Sequence, residues 1–472
     1  MNRLIYLLTL ICWLITAGCT KNFDEIQKNP NDVQGATPGS FLAPVLYDIT
    51  VTNLSRAHRI GNELMQYSVH KGDGIEFHRY YVSPTESDYI WDRHYSTAYN
   101  IQDMYNRAIE YKDSNFVAVA LTLKAYVCSQ LTDIYGDIPY SEAFMGDQGN
   151  LTPVYDQQES IYKSLMAGLD SAAKLFGTGK LAYGNDILYN GDIEKWKKFC
   201  NSLRLRLYLR LSKRSEMHSA EKIAEIVSSQ IKYPVFGSDD DEAILKFTGV
   251  EPFFNPFYNA RDLDFGNAKA PSKFIIDLLV NIADPRLPVW YAKANGDYIP
   301  VVSGYGRYKN GATFASSTSY IQNNLKSSPL LGTILSYAEV CFILSEAAQK
   351  GWISGDAKSF YEEGVKSSMK HWGVTPPETY LTQPGVVYDG QLSTIILQKY
   401  LAQWFVGLES WFEFRRTGYP QLPVNPEALN DGKMPVRLLY PTSTQLLNNS
   451  HYHEAIDRIG GDNCNSKGWW EK

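Results

Sequence analysis

Two glutamates in the C-terminal part of the chain have a spacing that could support acid–base chemistry. Glu409 and Glu413 lie one helical turn apart, and paired carboxylates hydrolyse glycosidic bonds when they face each other across a sugar. That chemistry normally takes its carboxylates from separate elements, whereas these two share one helix. Arg415 and Arg416 follow directly. The pattern therefore favours ion pairing over catalysis.

Two further clusters contain residue types that bind metal ions. His451, His453 and Glu454 offer two or three ligands, and the acidic run 239–242 offers four carboxylates. No other His or Cys cluster joins the first, and the second lacks the spaced oxygens of a calcium-binding loop. Both are typical of solvated turns. Because HExxH, G-x-S-x-G, phosphate-loop and dinucleotide-binding motifs are also absent from the sequence, we predict no enzyme activity, no metal and no cofactor.

The sequence contains more residues suited to ligand binding than to catalysis, because aromatic and hydrogen-bonding residues alternate in three irregular stretches. Neutral sugars present apolar C–H faces and rings of hydroxyl groups, so they bind flat aromatic rings flanked by amides, carboxylates or arginine. Any one ring could instead pin its loop to the core, and the helical spacing of Trp91 and Tyr95 favours a core position for both. Loops must nevertheless run over the surface. The ligand-binding residues that we predict are Tyr80, Tyr81, Trp91, Phe257, Tyr258, Arg261, Asp262, Tyr305, Arg307 and Tyr308.

The overall composition is that of a globular protein with many aromatic residues. The chain has 472 residues, with 45 Lys and Arg against 51 Asp and Glu, and its formal net charge is −6. That charge argues against a broad electrostatic contact with nucleic acid, so we predict no nucleic-acid partner. Cys128, Cys200, Cys341 and Cys464 are scattered along the chain, which indicates buried free thiols rather than a disulfide framework.

Most of the chain has the apolar periodicity of helices. From Asp192 onwards, apolar residues between Trp196 and Leu211 recur at steps of three and four, which predicts an amphipathic helix. Small and large residues alternate as in tetratricopeptide pairs, but without a strict period of about 34 residues. We therefore predict a mainly α fold of irregular tetratricopeptide-like helical pairs. Further helices are predicted at 116–131, 161–172, 338–348, 360–369 and 392–414.

Three segments interrupt the helical pattern and form a loop-rich second region. Residues 71–91, 249–322 and 375–391 combine aromatic residues with loop-forming ones, and loops of this length in a compact protein are usually functional or disordered. Their aromatic content argues against disorder. Within the second segment, the short mixed run Tyr298–Val302 predicts a small β-hairpin. We expect residues 36–472 to form one helical body that carries these segments as insertions.

The N-terminal residues have the pattern of a lipoprotein export signal. Arg3 precedes the apolar run Leu4–Ile15, which is too short to span a bilayer, and small residues lead to Cys19. We predict a signal peptide at 1–18, lipid attachment at Cys19, and a polar tether at 19–35. A threonine stands three positions before the cysteine, where a lipobox usually has leucine. An ordinary secretory signal is the alternative.

Seven motifs are spread along the chain from this tether to the C-terminus. They are Cys19–Asn31, Leu131–Ala143, Asp192–Trp196 with Asn201–Arg206, Asp284–Leu287, Tyr337–Val340, Arg415–Pro420, and Arg437–Pro441 with Trp469 and Trp470. Each motif alone is weak, but the seven in this order resemble the SusD/RagB-type nutrient-binding outer-membrane lipoproteins of Bacteroidetes, in particular the SusD-like subgroup. The motifs look structural, so we transfer no ligand role to them.

The resemblance implies a helical protein, lipid-anchored in the outer membrane and facing the cell exterior, that captures oligosaccharides without chemistry. It also implies a partner, a SusC-like TonB-dependent transporter, on which the protein would sit as a lid. Three alternatives stay open: capture of oligopeptides for the same type of transporter, a surface glycoside hydrolase, and a structural lipoprotein without a ligand. Peptide capture would require an exposed edge for backbone pairing and charged groups for the peptide ends.

Overall fold

The architecture is mainly α, as predicted. The computed structural model describes residues 35–71, 77–83, 85–306, 318–327 and 332–472. The α-helices in these ranges are α1 (Leu42–Arg56), α2 (Asn62–Leu64), α3 (Glu86–Glu110), α4 (Ser114–Tyr135), α5 (Gln158–Leu175), α6 (Ile193–Arg210), α7 (Ser219–Ser228), α8 (Lys273–Asn281), α9 (Leu287–Trp290), α10 (Tyr337–Gln349), α11 (Ala357–His371), α12 (Leu392–Ala402), α13 (Glu409–Thr417), α14 (Thr442–Leu447) and α15 (Asn449–Ile459).

The strands are short and pair two by two in antiparallel ladders. In the described ranges, β1 pairs with β5, β2 with β3, β4 with β8, and β6 with β7. The strands are β1 (Ser68–His70), β2 (Ile138–Pro139), β3 (Tyr155–Asp156), β4 (Ala243–Leu245), β5 (Lys269–Pro271), β6 (Tyr291–Ala292), β7 (Tyr320–Ile321) and β8 (Gly332–Leu335).

The helices from α3 to α7 pack in sequence, each against the next. The helix predicted from Asp192 onwards is α6, and the Asp192 carboxylate caps it by accepting hydrogen bonds from the next backbone N–H groups. Asp113 caps α4 in the same way. Helix α4 has the length and apolar composition to cross a membrane, but 89% of its most apolar window is buried inside the protein. It is therefore a core helix of the body.

A second group of helices, α10 to α12, packs against the first through α6. Helices α10 and α11 are the helices predicted at 338–348 and 360–369. Gly364 lets them approach closely, because a Cβ atom there would lie 3.0 Å from the Phe342 ring. Buried apolar side chains from Leu42 to Trp470 form one continuous cluster. Three cysteines are buried as free thiols, as predicted, whereas Cys464 is half-buried.

Two details of the predicted fold are wrong. The segment 392–414 is two helices rather than one, because Phe405 and Gly407 adopt left-handed backbone angles (φ 62° and 53°) that break the helix between α12 and α13. The predicted hairpin at Tyr298–Val302 is not a strand pair. Its Val301 makes a single bridge to Ser272, and the antiparallel pairing of this region lies in β6 and β7 instead.

Candidate functional site

Helix α1 presents one face to solvent between two irregular segments. Its half-buried residues include Tyr47, Asp48, Val51 and Ser55, which recur at steps of three and four. Side chains with this spacing share one side of a helix, and the opposite side of α1 contributes to the core. The exposed side of α1 therefore forms the floor of a surface whose two sides come from the N-terminal turns of α3 and from the loop between β4 and β5.

The N-terminal turns of α3 form one side of this surface. Tyr89 is 38% exposed, and the guanidinium carbon of Arg56 lies 4.2 Å from the centre of its ring. The guanidinium of Arg93 lies 5.7 Å from the same ring. A hydrogen bond with Tyr89 raises the pKa of Arg93. Two cations thus lie within about 6 Å of the centre of the Tyr89 ring, which remains partly accessible to solvent.

One ion pair holds this end of α3 against the segment that follows α1, and charges on the two helices influence each other. Arg59, in the turn that follows α1, donates its Nε to Glu86 at 2.6 Å and its Nη2 to the second oxygen of the same carboxylate. Such two-point arginine–carboxylate pairs fix orientation as well as distance. Burial raises the pKa of Asp48, and nearby Arg93 partly offsets that effect. The charges therefore fix the position of Tyr89 relative to the α1 floor.

The loop between β4 and β5 forms the other side. The Tyr47 ring meets Phe253 edge-on at 5.6 Å, and the Tyr47 hydroxyl donates to the Phe254 carbonyl at 2.9 Å. Phe254 and Tyr258 are stacked with their ring centres 4.7 Å apart and their planes at 22°. Tyr258 is 45% exposed. The loop therefore offers a stacked, solvent-accessible ring pair beside α1.

An uncharged contact holds this loop from below. The His58 ring packs 5.1 Å from Phe257 and stacks on Phe265 at 5.2 Å. Its Nε2 donates to the Phe265 carbonyl at 3.1 Å. Burial, followed by the nearby charge of Lys269, lowers the pKa of His58 to about 3. His58 is consequently neutral at physiological pH and anchors the loop through ring packing rather than charge.

Charged groups line the outer part of the same loop. Arg261 forms a two-point pair with Asp264, at 2.6 and 2.9 Å. Lys326 reaches Asp262 at 2.6 Å and also donates to the Ala260 carbonyl at 3.0 Å. The Arg261 and Asp262 side chains are largely exposed. They can therefore exchange water for the hydroxyl groups of a ligand with little rearrangement.

These contacts form a chain of neighbours that we call the ring face. It runs from Tyr89 through Arg93 and Asp48 to Tyr47, and then along the loop to the stacked ring pair. It combines exposed aromatic faces with hydrogen-bonding charges, which is the chemistry that neutral sugars require. The members of the ring face are Tyr47, Asp48, Tyr89, Arg93, Phe254 and Tyr258.

The structure brings four of the predicted ligand residues together on this loop. Tyr258, Arg261 and Asp262 are exposed, whereas Phe257 is half-buried against His58. Tyr81 is also exposed, at 46%, in the segment that precedes α3. Arg307, Tyr308 and Cys19 lie outside the described residues, as does the predicted signal peptide.

Three other predicted residues point into the protein. Tyr80 is buried with a left-handed backbone (φ 65°), and Trp91 packs edge-on against Tyr135 in the core. Tyr305 stacks on His78 at 4.9 Å and donates its hydroxyl to the His70 carbonyl. None of these three rings offers a face to solvent in this structure, so none of them contributes to the ring face.

Sequence reasoning missed the contribution of α1 and Arg93. It concentrated on irregular segments, whereas Tyr47, Asp48 and Arg93 lie on regular helices. A signal was available, because an aromatic residue and a carboxylate interrupt the apolar pattern of α1 at helical spacing. Only the fold places that helix face beside the loops.

The two glutamates that suggested glycosidase chemistry are buried in ion pairs, as predicted. Burial by itself raises the pKa of Glu413, but Arg416 and Lys399 outweigh it and lower that pKa to about 2. Glu409 pairs with Arg206 and Arg210 of α6 rather than with its sequence neighbour Arg415. A glycosidase acid needs a raised pKa, so both carboxylates have the properties of structural anions.

The two clusters of metal-binding residue types, which the sequence assigns to solvated turns, make other contacts in the structure. Within the described ranges, no group of three His, Cys, Asp or Glu side chains is arranged to hold a metal ion. The 451–454 segment lies on α15, where His451 pairs with Glu454. The acidic run 239–242 is not simply a solvated turn: Asp241 is buried and pairs with Lys198, and burial raises the pKa of Glu242 to about 8.

The helical pairs form a scaffold that carries the ring face on its surface. The chain belongs to the SusD-like family described as "starch-binding associating with outer membrane", whose model matches residues 30–441. Members of this family are binding proteins rather than enzymes, and they associate with the outer membrane. A search of curated proteins found no match.

Solved structures of relatives cover nearly the whole body. A chitin-binding protein is 28% identical with a TM-score of 0.76, and the match covers 90% of this chain and 99% of that one. A SusD homologue from Bacteroides fragilis is 26% identical with a TM-score of 0.80, covering 93% and 100%. A chitin-binding SusD homologue from Flavobacterium johnsoniae shares the fold, with 23% identity, a TM-score of 0.80, and coverage of 92% and 98%.

Proposed function

We propose that this protein binds oligosaccharide nutrients at the cell surface and delivers them, uncleaved, to a SusC-like TonB-dependent outer-membrane transporter. The observation that carries the proposal is the ring face, where accessible rings at Tyr89 and Tyr258 lie on either side of hydrogen-bonding groups on α1 and α3. Family membership and the names of two chitin-binding relatives support a glycan as the ligand.

The remaining parts of the proposal rest on the sequence. The export signal at 1–18 and the lipid on Cys19 would hold the protein in the outer membrane, with residues 36–472 as one body outside the cell. Absence of catalysis is supported by the ion pairs that keep Glu409 and Glu413 charged. The transporter partner is inferred from the family alone.

Isothermal titration of the mature protein against a panel of oligosaccharides tests the ligand class. We expect one or more glycans, with chitin and starch fragments tested first, to bind with measurable heat. We also expect no new reducing ends after prolonged incubation, because Glu409 and Glu413 are both held in buried ion pairs. A peptide mixture titrated in parallel distinguishes glycan capture from the main alternative, capture of oligopeptides. Binding of peptides without any glycan, or release of reducing ends, would contradict the proposal.

A further inference from the structure

The C-terminal end of α3 and the N-terminal end of α4 carry an exposed apolar and basic surface. Ile109, Tyr111, Leu175 and Tyr183 are exposed there. Tyr111 and Tyr183 meet edge-on at 5.5 Å, and Gly177 donates its backbone N–H to Asn115, which holds the 177–184 loop over the start of α4. We call this end of the molecule the tether face.

The tether face is positively charged within an acidic protein. Lys112, Lys174 and Lys180 are exposed, and no ion pair holds them among the residues that the structure describes. Of the acidic groups nearby, Glu110 pairs with Arg107, and Asp113 caps α4. Together with Arg107, the three lysines give four positive charges against three carboxylates, those of Glu110, Asp113 and Asp192, the last of which forms a β-bridge with Lys180. The face therefore has a small positive excess, although the whole chain has a net charge of −6.

A groove opens at the same end. It has a volume of about 760 Å³ and runs between α3, α4 and α5. Its walls are mostly apolar, with Ile109, Val117 and Leu121 among them, and Lys112 also lines it. Exposed tyrosine, lysine and aliphatic side chains in one patch are typical of surfaces that contact the membrane–water interface.

The path of the chain leads to this end. Gly39 packs directly against the backbone of Tyr183 and Gly184, so close that a Cβ atom at either glycine would overlap the other segment. The described chain therefore enters the body beside the tether face. The 17 residues from Cys19 to Gly35 are joined by 16 Cα–Cα steps, which can extend over at most about 55 Å. The lipid site predicted at Cys19 is therefore within reach of the tether face.

We propose that the tether face rests on an anionic lipid surface, so that the body is oriented on the membrane as well as anchored to it. This inference relies on the lipid anchorage of the proposed function and not on its glycan ligand. The lysines supply attraction to lipid headgroups, which is confined to charges near the surface. The two tyrosines and the aliphatic side chains supply interfacial contact.

The test measures whether the protein body binds membranes when its own lipid anchor is absent. The mature chain with Cys19→Ser is mixed with vesicles of phosphatidylglycerol and phosphatidylcholine, and the bound fraction is measured by sedimentation. We expect salt-sensitive binding that falls about tenfold or more when Lys112, Lys174 and Lys180 are changed to Gln. Tyr111→Ser with Tyr183→Ser should weaken binding further.

A matched control changes a lysine and an apolar residue on another surface. Lys273→Gln with Val424→Ser alters the cleft between α8 and the 423–426 loop, and we expect it to bind vesicles like the parent chain. Absence of binding, equal binding to neutral phosphatidylcholine, or equal losses in the control and the lysine variant would overturn the proposal. Glycan titration of the same variants measures binding at the ring face separately from vesicle binding, so that failure of one proposal can be distinguished from failure of the other.

Discussion

The helical core and the ring face use the same residue types in opposite ways. In the core, Arg206 donates to both oxygens of Glu339 at 2.8 and 2.7 Å, and all of these atoms are buried. On the ring face, Arg93 lies beside Tyr89 and is exposed to solvent. The core satisfies its charges internally, whereas the ring face leaves them available to a ligand.

This difference separates the residues that define the family from those that would select the ligand. The motifs around Asp133, Asn201–Arg206 and Arg415–Pro420 supply the buried charges that join α4, α6, α10 and α13. The ring face is built from α1, α3 and a loop outside those motifs. A family can therefore keep one scaffold while its ligand varies.

The largest effect should follow from breaking the core pairs. Arg206→Met leaves Glu339 without its two-point partner and removes one of the two arginines from Glu409. Removing one partner of a buried ion pair costs about 3–5 kcal/mol, because the other charge stays buried without compensation. We expect the free energy of unfolding, measured by urea denaturation, to fall by about that amount.

A matched exposed pair gives the scale for this prediction. Lys163 and Glu159 are paired at 2.6 Å on the surface of α5, and Lys163→Met should change the free energy of unfolding by about 1 kcal/mol or less. If the two variants lose similar stability, the contrast between buried and exposed charges is wrong. Where Arg206→Met remains folded, it should bind glycan like the parent chain.

A smaller effect should come from a half-buried carboxylate, Glu242, for which the structure gives no ion pair with an arginine among the described residues. Glu242 accepts a hydrogen bond from the Tyr337 backbone N–H at the start of α10, and burial raises its pKa to about 8. An unfolded glutamate titrates near 4.3, so the folded state retains the proton longer. Its contribution to stability is present at acidic pH and is lost as the pH rises through about 8.

We expect Glu242 to lower the free energy of unfolding by about 2 kcal/mol between pH 5 and pH 8, because its partial exposure reduces the full linkage effect. Glu242→Gln keeps the acceptor oxygen and should remove that part of the slope in urea denaturation at several pH values. The exposed change Glu216→Gln should leave the slope as it is. A parent chain and a Glu242→Gln variant with parallel pH profiles would refute the raised pKa.

Regular periodicity predicted the scaffold well because it is a local property. Asp192 and the apolar stripe that follows it determine where α6 begins and which side faces the core. The buried positions of Arg206 and Arg210 could not be predicted in this way. Their partners Glu339 and Glu409 lie 133 to 203 residues away in the sequence, and only the tertiary fold brings them together.

The site was harder to predict than the scaffold for the same reason. Sequence composition identified the loop that carries Tyr258 and Arg261, but it could not separate rings that line the surface from rings that fasten loops to the core. Tyr80 and Tyr305 belong to the second kind, because their contacts with Gln66, His78 and the His70 carbonyl turn them inward. Whether the predicted residues bind ligand remains a prediction.

The most direct test of the account is a titration of one glycan against two variants with altered surface rings. The double variant Tyr89→Ala with Tyr258→Ala removes the two accessible tyrosine rings from the ring face. The control variant Tyr99→Ala removes a tyrosine of similar exposure, 44%, which packs on Phe144 and is not part of the ring face. Each stacked ring contributes about 1 kcal/mol, so we expect the double variant to bind about tenfold or more weakly and Tyr99→Ala to bind like the parent chain. Equal affinity of all three proteins, with their folds intact, would contradict the assignment of glycan binding to the ring face.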